Sequence, residues 1–219
     1  MNDTSQLTTH TFSAKDVEVI EKHRDHDGYF KIDRYKLRHR RHEGGYTDVM
    51  QREIFERGHA TAVLLFDPVL DKLVFIEQFR PGAYAAINSS WFDQDTHSPW
   101  MLECVAGIID EGETPEDVAR RESIEEANCE ISDILPVMHY LVSPGGTTES
   151  VFLFIGRIDA TNAGGVHGLD EEHEDIRVVC VDTQTALTWL DEGRFTNGMT
   201  LIAMQWFKIN HARIKSLWR

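Results

Sequence analysis

Cysteine is scarce in this chain of 219 residues. The three present, Cys104, Cys129 and Cys180, form no C-x-x-C pair. Neither a zinc-ligand spacing nor a disulfide framework can be drawn from them, and eleven histidines make no H-E-x-x-H. A reducing compartment, the cytoplasm, is the expectation. Long apolar runs are also missing. Ala62–Phe66 is stopped by Asp67, and nothing approaches the ~20 apolar residues that span a bilayer, so no membrane association is expected. Met1 to His10 is polar and lacks the apolar stretch of a signal peptide. Positive charge is in short supply too, with 22 Lys and Arg against 37 Asp and Glu and a net charge of −15. Phosphate backbones repel such a chain, which argues against a nucleic-acid partner. A small anionic ligand would need local arginines or bound cations. What remains is an ordinary globular composition, 41% hydrophobic and 27% charged, enough for one large domain or two small ones.

Residues 1–14 read as a flexible tail. From Val17 to Arg57 the pattern is strand-like, with a turn at Glu43-Gly44-Gly45 and apolar alternation through Tyr29, Phe30, Ile32, Tyr35 and Leu37. The alternation would turn one of Tyr29 and Phe30 toward a core. A sheet of residues 15–58 is too small to carry a core alone, so it must pack on the rest or on a partner chain. Strands are expected at Ala60–Phe66, Lys72–Phe79, Trp100–Ala106, Ile134–Val142, Val151–Ile158 and Ile176–Val181, with loops at 81–98 and 160–175. Helices are expected at Thr114–Asn128, 184–193 and 198–213. Thr114 suits the N-cap, Pro115 the first turn, and Glu116 and Asp117 the positive end of the dipole. The order argues for a mixed sheet between helices over 59–219, preceded by a small β-domain.

On the helix from Thr114, residues Glu122, Glu125 and Glu126 fall at i, i+3 and i+4, within an arc of about 100°. Like charges so placed destabilise a helix by roughly 0.2–0.5 kcal/mol per pair. Three converging carboxylates make a hard oxygen site suited to Mg²⁺ or Mn²⁺. Alone, E-x-x-E-E reads more simply as a solvated acidic face. Its surroundings change that. Gly107, five residues, Glu113, seven residues, Arg121-Glu122 and then Glu125-Glu126 resemble the signature box of the Nudix hydrolases, which split a diphosphate linked to another moiety. Ser123 and Cys129 replace usual aliphatics and Asn128 replaces the usual Gly. Asn is the mildest non-Gly choice for a left-handed residue after a helix, and Cys packs as a small hydrophobe.

The resemblance implies an α+β fold, the Nudix α/β/α sandwich with a mixed β-sheet plus a small N-terminal antiparallel β-domain. It implies Glu122 and Glu126 as principal metal ligands, Glu125 contributing, Gly107 shaping the loop, and the backbone carbonyl of Ala106 as a further ligand. Glu113 and Arg121 would brace the box through a charge-assisted pair. Two or three Mg²⁺ per site are implied, with Mn²⁺ as an alternative. A base must come from elsewhere. Taken alone, the acidic loop His167–Asp175 reads as solvated surface. In the resemblance it supplies Glu172 as base with Glu174 beside it on metal, and both stay candidates for the proton.

Beyond the box, Arg52-Glu53-Ile-Phe-Glu-Arg57-Gly-His-Ala60, Ser143-Pro144-Gly145-Gly146-Thr147 and His167-Gly168-Leu169 resemble the ADP-ribose pyrophosphatase subfamily. Pro144, about fifteen residues past the box, is that subfamily's mark. The implied substrate is ADP-ribose, cleaved to AMP and ribose 5-phosphate. Arg52, Arg57 and Arg80 would fork the diphosphate, with Glu53 in the same motif. Tyr29 and Phe30 would stack on adenine, and Ile108, Ser143, Gly145 and Glu149 would line the remaining wall. The subfamily's N-terminal sheet is exchanged within a homodimer, implying active sites shared between chains through Tyr29, Phe30, Arg52 and Glu149. Rival readings are a Nudix hydrolase of GDP-mannose, NADH or dinucleoside polyphosphates, and an ADP-ribose-binding regulator. The intact box carboxylates and the short chain after Asp182 disfavour the regulator.

Overall fold

The computed structural model describes residues 11–92 and 97–219; the first ten residues of the expected tail and residues 93–96 of the expected loop lie outside them. Two compact units result. The first runs to Gly58 and is rejoined by Leu141–Glu149; the second comprises His59–Tyr140 and Ser150–Arg219.

The first unit is a three-stranded antiparallel sheet, β1 (Val17–Asp27), β2 (Lys31–His39) and β3 (Met50–Glu56), in sequence order. Its registers run from Val17 opposite His39 to Leu37 opposite Met50, with irregularities at Val19/Glu21 and Arg24/His26. Asp33 is fully buried, its carboxylate held by Arg24 Nε at 2.6 Å and Lys22 Nζ at 2.8 Å. A buried charge persists only when paired in this way. The returning segment joins by backbone bonds: Phe55 N donates to Gly146 O at 2.8 Å and Thr148 N to Phe55 O at 3.3 Å. Tyr29 and Phe30 do not alternate along a strand. They occupy the β1–β2 turn, where Gly28 N donates to Phe30 O, and both are exposed. The Asp27-Gly28 pair stops the strand before the aromatic pair begins, so periodicity could not orient them.

The second unit is built on a mixed sheet ordered β10-β11-β5-β4-β9-β8. These strands are β4 (Ala60–Asp67), β5 (Lys72–Phe79), β8 (Asp133–Leu141), β9 (Ser150–Arg157), β10 (Val166–His167) and β11 (Ile176–Asp182). Two short strands, β6 (Trp100–Glu103) on β5 and β7 (Val105–Ile108) on β4, complete it. The β4–β9 pair is parallel. All eight residues of β4 are buried, which marks a central strand covered on both faces. Its even positions, Ala62, Leu64 and Phe66, pack with Phe75, Leu153, Met204 and Phe207 beneath α4 (Gly198–Trp218). Its odd positions, Val63 and Leu65, pack with Val74, Val105, Ala119 and Cys129 beneath α2 (Pro115–Ala127). The expected α/β/α sandwich is present, with a period of two splitting one strand between two cores.

Three local expectations are corrected. Residues 81–98 are not all loop: α1 (Pro81–Ile87) begins with proline in its first turn and carries three alanines, so a helix former outweighs the Pro-Gly start. The single strand Trp100–Ala106 divides at Cys104, because β6 and β7 pair with different partners. The final helix extends past residue 213 to Trp218, whose buried side chain donates its indole N–H to Asp133 at 3.0 Å. Helix α3 (Thr183–Asp191) lies where expected.

Candidate active site

Helix α2 is set by its ends. Thr114 Oγ1 accepts from the Asp117 amide at 3.2 Å, Pro115 opens the first turn, and Asn128 closes it in the left-handed region at φ 49°. Val118, Ala119, Ser123 and Ala127 are buried against the sheet. Ser123, the departure from an aliphatic, donates its hydroxyl to Ala119 O at 2.6 Å, so its burial leaves no donor unpaired. Cys129 packs in the same core.

That fixed register places the carboxylates. Glu126 is buried, its Oε2 accepting from the Ala106 amide at 3.2 Å and its Oε1 from Gln78 Nε2 at 3.4 Å. Glu122 lies against Gly107. A Cβ at that glycine would stand 1.9 Å from Glu122 Oε1 and 2.3 Å from Cδ, so the motif glycine leaves room for a carboxylate. Gly107 was expected to shape a loop; it lies within β7, opposite Thr61. Arg121 Nε reaches Glu113 Oε1 at 3.0 Å, and its Nη1 reaches Glu122 Oε1 at 2.8 Å and Glu125 Oε2 at 2.9 Å. Glu113 also accepts from the Asp110 amide at 3.1 Å. The bond from Arg121 comes first in holding the Glu113 pKa low, with the Asp110 amide next.

The electrostatics of the carboxylates are those of an uncompensated cluster. Burial pushes Glu122 up to about 7 against the pull of Arg121, with Glu125 and Glu174 adding repulsion. Burial pushes Glu126 up to about 8, reinforced by Glu122 and Glu174 and opposed by the Ala106 amide and Arg80. Glu174 reaches this group from the acidic loop. Gly168 N donates to Glu125 O at 3.2 Å, docking the loop on α2. Glu174 Oε2 accepts from Leu169 N at 3.1 Å. Gly168 has φ +106°, and a Cβ there would meet Glu174 Cβ at 2.6 Å, so glycine is needed twice over. Glu172 ends the 3-10 turn Asp170–Glu172 and is exposed.

The donor chemistry suits a hard divalent cation: carboxylates from two elements, of which the two most buried, Glu122 and Glu126, are raised in pKa chiefly by burial. Among the described residues no three acidic, histidine or cysteine side chains close into a ready ligand cage. Glu122 is turned to Arg121, Glu126 to an amide, and Glu174 to its own loop.

The remaining expected residues divide by unit. In the second unit, Ile108 is half-buried in β7 and Arg80 caps the start of α1, with Nε on Glu103 Oε2 at 2.8 Å. In the first unit, Arg57 Nη1 lies 3.2 Å from buried Glu149, its guanidinium 6.0 Å from the Phe30 ring centroid. Its Nε is buried without a partner among the described residues. Phe30 packs edge-on against Phe55 at 5.0 Å. Ser143 O accepts from the Gly146 and Thr147 amides, making Ser143–Thr147 a tight turn with Gly145 exposed. Arg52 is exposed and bonded to Gln51 O, and Glu53 is exposed. Sequence reasoning missed Gln78 and Glu103. The only signal was a polar residue inside each apolar strand.

Comparison with known proteins follows the same lines. A NUDIX-domain model matches residues 56–196. The ADP-ribose pyrophosphatase of Escherichia coli (strain K12) is 46% identical over 208 residues, 95% of each chain. That of Haemophilus influenzae is 38% identical over 208 residues, 95% of this chain and 93% of the relative. A GDP-mannose pyrophosphatase of Yersinia pestis (strain Pestoides F) is 32% identical over 187 residues, 83% of this chain and 86% of the relative. Among solved structures, an ADP compounds hydrolase aligns with a TM-score of 0.66 over 94% of this chain and 100% of that one, at 17% identity, a likeness of fold.

Proposed function

The chain belongs to the Nudix family, and from that premise we propose that it hydrolyses ADP-ribose to AMP and ribose 5-phosphate. The chemistry rests on one observation above the others: Glu122 seated against Gly107, close enough to Glu126 and Glu174 for their charges to act on one another. The choice of substrate rests on 46% identity across 95% of the chain to a named ADP-ribose pyrophosphatase.

Nudix hydrolases generally use divalent metal ions. In this proposal Glu122, Glu126 and Glu174 hold two or three Mg²⁺, with Glu125 and the Ala106 carbonyl contributing and Mn²⁺ able to substitute. When bound, such ions supply positive charge to the diphosphate and acidify water. The chain's own residues do the rest. Arg121 keeps Glu122 and Glu125 in place through contacts of 2.8 and 2.9 Å. Arg80, and Arg52 with Arg57, take the diphosphate oxygens that a −15 protein otherwise repels. Glu53 belongs with them. Tyr29 and Phe30 offer exposed ring faces to adenine, and Ile108, Ser143, Gly145 and Glu149 border the ribose. Glu172 takes the proton from the attacking water, whose oxygen joins one phosphorus as the bridging oxygen leaves with the other. Its exposure on a loop docked to α2 supports that role.

The active unit is a homodimer with sites shared between chains. Support comes from β1, where Val17, Val19 and Ile20 are exposed on a sheet too small to stand alone. The compartment proposed is the cytoplasm. All three cysteines are free, and among the described residues no helix is long and apolar enough to cross a membrane.

The test is hydrolysis of ADP-ribose with Mg²⁺ in oxygen-18 water, with products identified by mass spectrometry. AMP and ribose 5-phosphate, abolished by chelation, are expected, and the label marks the phosphorus attacked. Cleavage of GDP-mannose or NADH alone would keep the chemistry and overturn the substrate. No turnover of any diphosphate would leave a binding protein.

A further inference from the structure

Glu103 is a carboxylate where an apolar residue would be expected, the last position of β6, 1% exposed. Its two oxygens have different partners. Oε2 accepts from Arg80 Nε at 2.8 Å, and Oε1 accepts from Asn197 Nδ2 at 2.7 Å. Asn197 cannot swing freely. It is the N-cap of α4, and its Oδ1 accepts from Thr200 N at 3.1 Å and Thr200 Oγ1 at 3.3 Å. Thr200 Oγ1 in turn accepts from the Cys104 amide at 2.9 Å, next to Glu103. A closed ring of bonds therefore runs from a helix terminus to one nitrogen of Arg80.

Arg80 follows β5, two residues after Gln78, whose amide donates to Glu126. Its charge is close enough to Glu126 to oppose the rise in that residue's pKa. Nε is the nitrogen taken by Glu103, and among the described residues no acceptor occupies Nη1 or Nη2. The Arg80 side chain is 37% exposed, so a ligand can reach its terminal nitrogens. Burial raises the Glu103 pKa while Arg80 and Asn197 oppose it, as expected of a carboxylate kept inside by its partners.

We propose that Glu103 is a positioning residue, which locks Arg80 by Nε so that its two terminal nitrogens meet a diphosphate as a preformed fork, with Asn197 orienting the carboxylate. The inference rests on the proposed role of Arg80 in diphosphate binding. An arginine left to itself carries much rotamer freedom that a ligand must remove on binding, and prior fixation by a buried partner removes that penalty. The geometry thereby links substrate affinity to the start of α4.

The experiment is a cycle of variants read by calorimetric titration with ADP and Mg²⁺, by KM and kcat on ADP-ribose, and by Tm. Glu103→Gln presents one amide group to two donors and loses one bond. It is expected to weaken ADP binding about tenfold, with KM rising by a similar factor. Arg80→Gln should do at least as much, and the double variant should bind no more weakly than Arg80→Gln alone. The reciprocal pair Glu103→Gln with Asn197→Asp restores both bonds with donor and acceptor exchanged and keeps the N-cap. Recovery to within about threefold of the starting affinity is expected, and it separates positioning from loss of fold. Unchanged affinity in Glu103→Gln, full additivity with Arg80→Gln, or a reciprocal pair no better than the single variant overturns the proposal. If the unaltered protein binds ADP without cleaving ADP-ribose, the substrate assignment fails while the ADP cycle still decides the role of Glu103. If ADP does not bind, the same cycle is read by KM on ADP-ribose, and a KM unchanged by Glu103→Gln overturns the proposal.

Discussion

Glu122 and Gly107 act as one unit, since the oxygen of the first fills the volume that a methyl on the second would need. Gly107→Ala should therefore swing Glu122 aside, fold normally by circular dichroism, and lose activity about as far as Glu122→Gln or Glu126→Gln, about 10²-fold or more in kcat. Near-normal turnover in these variants would remove the carboxylates from the reaction. The base is read separately. Glu172→Gln should bind ADP-ribose with little change while kcat collapses, and if only Glu174→Gln behaves so, the proton goes to Glu174. The three helix carboxylates were legible in the sequence because i, i+3 and i+4 share a face whatever surrounds them. Glu103 was not legible, because its partners lie 23 and 94 residues away along the chain.

At the scale of elements, α2 depends on how it stops. Asn128 holds φ 49° and ψ 38° and donates its amide back to Ile124 and Ser123. Asn128→Ala should lower stability by about 1 kcal/mol in urea unfolding, since alanine keeps the Cβ but loses the short polar side chain that lets asparagine tolerate that region, while Asn128→Gly should stay within a few tenths. The β4–β5 turn gives a second case. Asp71 sits in the left-handed region at φ 57°, with its carboxylate bonded to Lys215 and to His211 Nε2 at 2.7 Å, both on α4. Partial burial raises its pKa, but Lys215 and His211 outweigh it and the net shift is downward. A depressed carboxylate contributes stability that is present above its unfolded value near 3.8 and is lost as pH falls through the lower folded value. Asp71→Asn, which tolerates the same backbone, should be less stable by about 0.5–1 kcal/mol at pH 7, discounted for its exposure. Thermal melts below pH 4 should bring the two proteins together, and a constant gap would show that the ion pairs contribute nothing.

For the whole molecule, a charge of −15 repels an anionic substrate, and the arginines proposed to bind it would offset that repulsion locally. The proposed sharing of sites between chains has a direct readout. A chain carrying Arg52→Ala and Arg57→Ala and a chain carrying Glu122→Gln should each be inactive. Mixed and reassembled, they should regain about a quarter of normal activity, because half the dimers are mixed and each then has one intact site. No recovery would place each site within a single chain.

The sequence by itself determined the box, because its spacing is a local property of one helix and the turn before it. It also determined the sandwich, because the order of strands and helices over 59–219 argues for a mixed sheet between helices; which face of β4 each residue takes, Val63 and Leu65 on one and Leu64 and Phe66 on the other, is read from the structure. It could not divide Trp100–Ala106, since pairing with β5 or β4 depends on strands distant in the chain. Nor could it place Tyr29 and Phe30 in a turn, raise the pKa of Glu126, or join Glu103 to Asn197. Those are consequences of burial and of neighbours brought together by folding, and burial is a property that no residue carries until the chain has closed around it.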